Sequence, residues 1–149
     1  MTKESGAWGT FTTGDTVEVP FTVTDEDMAT FRAFSGDDSL SHTDLAFCQA
    51  HGFDDRVVYG GLLLAMLSRL LGTQLPGRYG LSSSWTINFH RPLYVGEAAV
   101  LRGEVEQVSD AARMLKIGFR ITAGDRLVAE GTALSSVLEP PADDPGGST

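Results

Sequence analysis

Apolar and polar residues alternate through Val17-Glu-Val-Pro-Phe-Thr-Val23, the period of a strand with one buried face. Pro20 has no N–H to donate, so this strand is expected at a sheet edge or at a bulge. Thr24-Asp25-Glu26-Asp27 reads as a helix start, because a hydroxyl cap and acids in the first turn suit the unpaired N–H groups and the dipole. Met28, Phe31, Ala33 and Phe34 give that short helix an apolar side, and it is expected to end near Ser35-Gly36. Asp37 to His51 is polar at first and weakly helical from about Thr43. Gly60 to Gly72 differs from all of this. Its leucines, with Ala65 and Met66, cover nearly the whole circumference of a helix, which predicts a buried element from about Gly60 to Leu71. Gly72 and then Pro76-Gly77 stop it.

Strands dominate the second half of the chain. Trp85, Ile87 and Phe89 alternate with Thr86, Asn88 and His90. Leu101 to Glu106 and Leu115 to Ile121 alternate in the same way, and Leu127 to Leu138 reads as one long strand. Gly96, Ser109-Asp110 and Gly124-Asp125 mark the turns, and Thr122–Asp125 closes a hairpin. The economical packing of this order is α+β: one curved antiparallel sheet wrapped around a single long central helix, a hotdog architecture. An exposed edge strand in such a sheet invites pairing with a second copy, so a homodimer is expected. The folded unit is expected at 11–138, between a flexible N-terminus at 1–10 and a tail at 139–149. The Pro, Gly and Asp of that tail predict disorder.

Composition narrows the function classes. The 149 residues carry 20 acids against 11 bases, a net charge of −9. Such a chain is a poor partner for nucleic acid or an anionic membrane, both of which need clustered Lys and Arg. A hydrophobic content of 42% excludes a wholly disordered chain. A single cysteine, Cys48, leaves no internal disulfide framework, and it reads as an apolar filler. Met1–Gly9 lacks a basic head followed by an apolar stretch. The greasiest run, Gly61–Leu71, is far shorter than the roughly 20 residues a bilayer span needs. The expectation is a cytoplasmic protein. His42, His51 and His90 are scattered, so no metal site is expected, nor any other cofactor.

The segment Phe34-Ser-Gly-Asp-Asp-Ser-Leu-Ser-His42 places an acid and an imidazole five residues apart on a polar loop between two apolar elements. A carboxylate and a histidine converging on one water could hold it, take its proton and return one. On spacing alone the competing reading stands: Asp37 caps the next helix and His42 is a surface residue.

The stretch from Phe34 to Gly77 resembles the MaoC-like (R)-specific enoyl-CoA hydratases. That family carries a Ser-x-Asp-x-Asn-Pro-x-His loop and a Val-His-Gly turn that opens the buried helix. Here Ser35-Gly-Asp37-Asp-Ser39-Leu40-Ser-His42 occupies the loop, Val58-Tyr59-Gly60 the turn, and Leu62 to Ser68 the helix. Pro92-Leu-Tyr-Val-Gly96-Glu97 resembles a further family corner. Ser39 stands where the family has Asn, Leu40 where it has Pro, and Tyr59 where it has His.

The resemblance implies a hydratase or dehydratase acting on an enoyl or hydroxyacyl thioester of CoA or an acyl carrier protein. Asp37 and His42 would bind the catalytic water. The Gly60 N–H, unpaired in the first helical turn, would receive the thioester oxygen. Ser68 corresponds to a family serine near the catalytic carboxylate, although a plain packing role serves it equally well. Tyr59 is expected to donate a hydrogen bond beside the thioester or simply to pack. Ser39, Tyr59, Ser68 and Leu71 are the expected substrate-binding set. Bulk at Leu71 and Tyr59 points to a short or medium acyl group. Arg56, Arg78 and Arg91 are candidates for phosphates of the carrier arm. A hotdog thioesterase and a non-catalytic acyl-thioester-binding module are the alternatives.

Overall fold

The computed structural model describes residues 7–144. The expectations for residues 1–6 and 145–149 lie outside the described residues. The element order is β1 (Thr16–Thr22), α1 (Asp25–Ser35), α2 (Leu40–Thr43), α3 (Leu45–Ala50), α4 (Gly60–Thr73), β2 (Gly80–Phe89), β3 (Ala98–Ser109), β4 (Met114–Ala123) and β5 (Arg126–Val137).

The five strands form one antiparallel sheet in the order β1-β3-β4-β5-β2. Pro20 therefore lies on an edge strand, opposite Val100, where its missing donor costs least. The β4–β5 hairpin turns at Gly124, whose φ of 58° favours glycine. The helix α1 begins with a reciprocal cap. The Asp27 N–H donates to the Thr24 hydroxyl, and the Thr24 N–H donates to the Asp27 carboxylate. It ends at Gly36 in the left-handed region, φ 71°, and that reversal throws the chain into the Asp37–His42 loop.

One side of α4 fills the concave face of the sheet. Leu63, Leu67, Leu70 and Leu71 are buried against Leu101, Val105, Leu115, Ile117 and Ala133, among others. Gly103 makes that approach possible. A Cβ there would stand 3.0 Å from a Leu70 methyl. The all-round apolar pattern of α4 predicts complete burial, and here the structure differs. Ala65, Ser68, Arg69 and Gly72 are exposed, and Leu62, Leu64 and Met66 are half-buried. The sheet can cover one side of a helix only, and among the described residues the other side stays partly open.

The sheet also begins earlier than the alternation suggests, at Gly80, with a bulge between Ser82 and Ser84. Trp85 and Phe89 share the concave face with buried Ala133 and Ala129. Yet Trp85 is 38% exposed, Phe89 55% and Leu81 58%, because β2 is an edge. Among the described residues no helix is long and apolar enough to cross a membrane.

Leu71 lies in the core. Leu71→Ala is therefore expected to cost about 2–5 kcal/mol by leaving a cavity under α4. Urea unfolding followed by circular dichroism measures it, and a cost below about 1 kcal/mol would contradict the packing described.

Candidate active site

The site is built on the first turn of α4 and the loop that α1 feeds. Two glycines open α4 because two rings lie against it. A Cβ on Gly61 would sit 2.3 Å from the Phe31 ring, and one on Gly60 would sit 3.0 Å from the Phe89 ring. Tyr59, the residue before them, is almost wholly buried at 1% exposure. Its ring packs on Phe31 at 4.7 Å and on His42 at 4.2 Å between centroids. Its hydroxyl donates to the Asp37 carbonyl at 2.7 Å. Burial holds the Tyr59 hydroxyl above the usual phenol range, with the Asp37 charge acting in the same direction, so it stays a neutral donor.

His42 is oriented from the far side. Its Nδ1 lies 2.6 Å from the Val57 carbonyl oxygen. A carbonyl can only accept, so Nδ1 carries a proton, which makes Nε2 the acceptor nitrogen of the neutral tautomer. Val57 is itself fixed. Its N–H donates to the Ser41 carbonyl at 2.8 Å, and it forms an isolated bridge with Tyr94. Tyr94 stands in the corner that Arg126 clamps by a two-pronged bond to Glu97, at 2.6 and 2.8 Å.

Asp37 is held as an anion. Oδ1 accepts from the Ser39 hydroxyl at 2.5 Å and from the Ser39 N–H at 2.9 Å. The Ser39 hydroxyl bond, then its N–H, then the nearby imidazole hold this carboxyl below the usual aspartate range. Oδ2 accepts no hydrogen bond from any described residue, so one oxygen is left for a ligand or water. The Gly60 N–H likewise has no acceptor among the described residues, as the first amide of a helix should not.

Tyr59 thus touches the Asp37 backbone and the His42 ring and directly precedes Gly60, and no direct hydrogen bond joins Asp37 to His42. The other expected site residues fall elsewhere. Ser68 is exposed on the open side of α4, about 12 Å along the axis from Gly60, and its hydroxyl bonds to no described residue. Leu71 belongs to the core. Ser39 bonds Asp37, and Tyr59 has its hydroxyl committed to the loop. A cavity of about 520 Å³ lies between α1 and the loop, lined by Met28, Arg32, Asp38, His42, Arg56 and Tyr59. Its two arginines are paired, Arg32 to Asp38 at 2.5 Å and Arg56 to Asp25 at 2.5 Å. Arg78 is paired with Asp144 at 3.5 Å, and His90 with Glu130 at 3.3 Å. Among the described residues no group of three or more His, Cys, Asp or Glu could hold a metal ion.

Three participants were not marked as site residues by the sequence: Phe31, Phe89 and the Val57 carbonyl. The Gly60-Gly61 pair was the available signal for the two rings. A backbone carbonyl leaves no signal.

The sequence profile described as the MaoC like domain matches residues 10–122. The chain belongs to that family. It is 28% identical over 123 residues to the 3-hydroxybutyryl-CoA dehydratase of Methylorubrum extorquens, covering 83% of this chain and 78% of that protein. It is 32% identical over 109 residues to the (R)-specific enoyl-CoA hydratase of Aeromonas caviae, covering 72% of this chain and 81% of that protein. In structure, the (R)-hydratase of A. caviae involved in PHA biosynthesis superposes with a TM-score of 0.83 at 27% identity, over 89% of this chain and 100% of the other. The hotdog fold expected from the helix and strand pattern is thereby established.

Ser39→Ala removes the first of the two donors to Asp37 and leaves the backbone N–H. Loss of a bond to the charged form raises a carboxyl pKa. The Asp37 titration is expected to move up toward the ordinary aspartate value, observed through its side-chain carboxyl carbon by ¹³C NMR. A midpoint that stays put would show that the hydroxyl does not hold the anion.

Proposed function

We infer that this MaoC-like protein is a lyase that adds water across, or removes it from, the 2,3 double bond of an acyl thioester. The observation that carries the reading is that one residue, Tyr59, touches both the Asp37 backbone and the His42 ring and directly precedes Gly60, whose N–H has no acceptor among the described residues. The hydratases and dehydratases among its relatives support the same chemistry.

The chemistry follows from the protonation states. A water between Asp37 Oδ2 and His42 Nε2 gives a proton to Nε2 as its oxygen bonds to C3 of the enoyl chain. The π pair moves toward C2 and the thioester, and the oxygen that gains charge accepts from the Gly60 N–H. The imidazolium then returns its proton to C2. Water has been added, and neutral His42 is restored. Dehydration runs the same path backwards. Asp37 stays ionised throughout and stabilises the transient imidazolium. One oxyanion donor of this kind is worth about 3 kcal/mol of barrier.

We assign the thioester to CoA or an acyl carrier protein, and the working form to a cytoplasmic homodimer. Leu81, Trp85 and Phe89 line an edge strand with free backbone groups, and the open side of α4 is largely apolar. A second copy paired along β2 satisfies that edge and covers the exposed side chains. The net charge of −9 supports no nucleic acid or anionic membrane as a partner.

Asp37→Asn and His42→Ala are each expected to lower turnover of crotonyl-CoA by about a hundredfold or more in a protein that still folds, since Asp37 sits on a polar loop and His42 lies half-buried in the short helix α2, outside the main core. Loss of the conjugated thioester absorbance reports the rate. Near wild-type turnover in either variant would remove that residue from the chemistry, and a wild type inert toward every enoyl thioester would favour a binding module. Light scattering at micromolar concentration is expected to give the mass of two chains; the mass of one would refute the dimer.

A further inference from the structure

Asp37, His42 and Gly60 come from two separate stretches of chain, and general acid–base chemistry tolerates little slack between them. The loop that carries Asp37 and the one-turn helix α2 that carries His42 are largely exposed and have no proline to stiffen them. Asp38, Ser41 and His42 are tied to Arg32 and Val57, but only one buried side chain touches both Asp37 and His42.

We propose that Tyr59 is a positioning residue that sets the water-activating pair against the oxyanion donor, and not a substrate contact. This rests on the hydratase reading above. Three attachments meet in it. Its hydroxyl holds the Asp37 carbonyl at 2.7 Å, so the residue that bears the carboxylate is tied at its own backbone. Its ring lies on the His42 imidazole at 4.2 Å and 31°, which stops the imidazole from turning about its bond to Val57. Its own carbonyl accepts from the Leu62 N–H at 3.0 Å in the opening turn of α4, and the next amide in the chain is the Gly60 donor. Phe31, wedged against Gly61 and stacked on Tyr59, removes the remaining freedom of the ring. At 1% exposure, with its hydroxyl donating to Asp37, Tyr59 has no free O–H donor for a thioester.

The arrangement differs from simple core packing in a testable way. A packing residue changes stability. A substrate contact changes KM. A positioning residue changes turnover and the state of the imidazole.

The test compares Tyr59→Phe and Tyr59→Leu with wild type, using crotonyl-CoA as the probe. Tyr59→Phe keeps the ring and loses one hydrogen bond. It is expected to lower kcat about fivefold to tenfold while KM stays within about twofold. Tyr59→Leu loses the stack as well and is expected to fall further. The second measurement needs no turnover. In ¹⁵N NMR spectra at alkaline pH, wild-type His42 is expected as the single Nδ1–H tautomer, unchanged in Tyr59→Phe and mixed in Tyr59→Leu. A rise in KM at constant kcat in Tyr59→Phe would overturn the proposal in favour of a substrate contact. Unchanged kcat and KM in Tyr59→Phe, or an unmixed tautomer in a folded Tyr59→Leu, would overturn it outright. If wild type hydrates no enoyl thioester, the hydratase reading fails on its own, and the tautomer measurement still decides whether Tyr59 orients His42.

Discussion

Everything in this molecule depends on the leucine ridge of α4 seated in the concave face of the sheet. Leu63, Leu67, Leu70 and Leu71 contribute about 1.5–3 kcal/mol each on burial, and no other helix of the described residues buries more than one side chain. Their seating fixes the direction of the axis, and so where the first turn of α4 lies. That turn carries the Gly60 amide. A helix anchored along its middle and its last turns can present its first amides rigidly without spending them on its own stability. The functional end of α4 is well placed because the rest of the helix is core.

The loop above it obeys different physics. It is polar and exposed, and hydrophobic burial cannot hold it. Hydrogen bonds and ring contacts hold it instead. The same neighbourhood pulls two acids in opposite directions. Asp37, half-buried but with two donors on one oxygen, is held below the usual aspartate range and kept ionised. Tyr59, packed beside it but buried, is kept neutral. The contrast leaves one anion and one neutral hydroxyl donor side by side, because desolvation penalises charge on the buried group while donors and solvent support it on the more open one.

The strands, the capped α1 and α4 were legible in the sequence because hydrophobic period is a local property, and each of these elements writes it in its own residues. The alternation of Leu115, Ile117, Phe119 and Ile121 predicts a strand without reference to any neighbour. The open side of α4 was not legible. Leu62, Leu64 and Met66 are apolar whether the sheet or a second chain covers them, so the pattern reports burial without naming the cover. In the site, Asp37, His42 and Gly60 could be marked because each is a chemical type at a telling spacing. The Val57 carbonyl could not, because any residue would supply it. Tyr59 was visible as a departure but not as a contact. Its hydroxyl reaches a backbone oxygen 22 residues earlier, a distance that only the fold can close.

The departures from the family loop then acquire a common account. Proline stiffens a loop by removing unfolded states, an effect worth about 0.4–1 kcal/mol. A hydrogen bond from a buried hydroxyl contributes about 0.5–1.5 kcal/mol net. Leu40 gives up the first, and Tyr59 supplies the second at the backbone of the residue that bears the carboxylate. The magnitudes match, so the loop need not be looser for lacking its proline. Ser39 in place of asparagine fits the same scheme. Its short side chain closes on Asp37 within a single turn, through both its hydroxyl and its amide, and asks nothing of the rest of the fold. The constraint has moved from the covalent chain to side-chain contacts. A constraint of that kind depends on α4 staying in place, which returns the loop's precision to the leucine ridge beneath it.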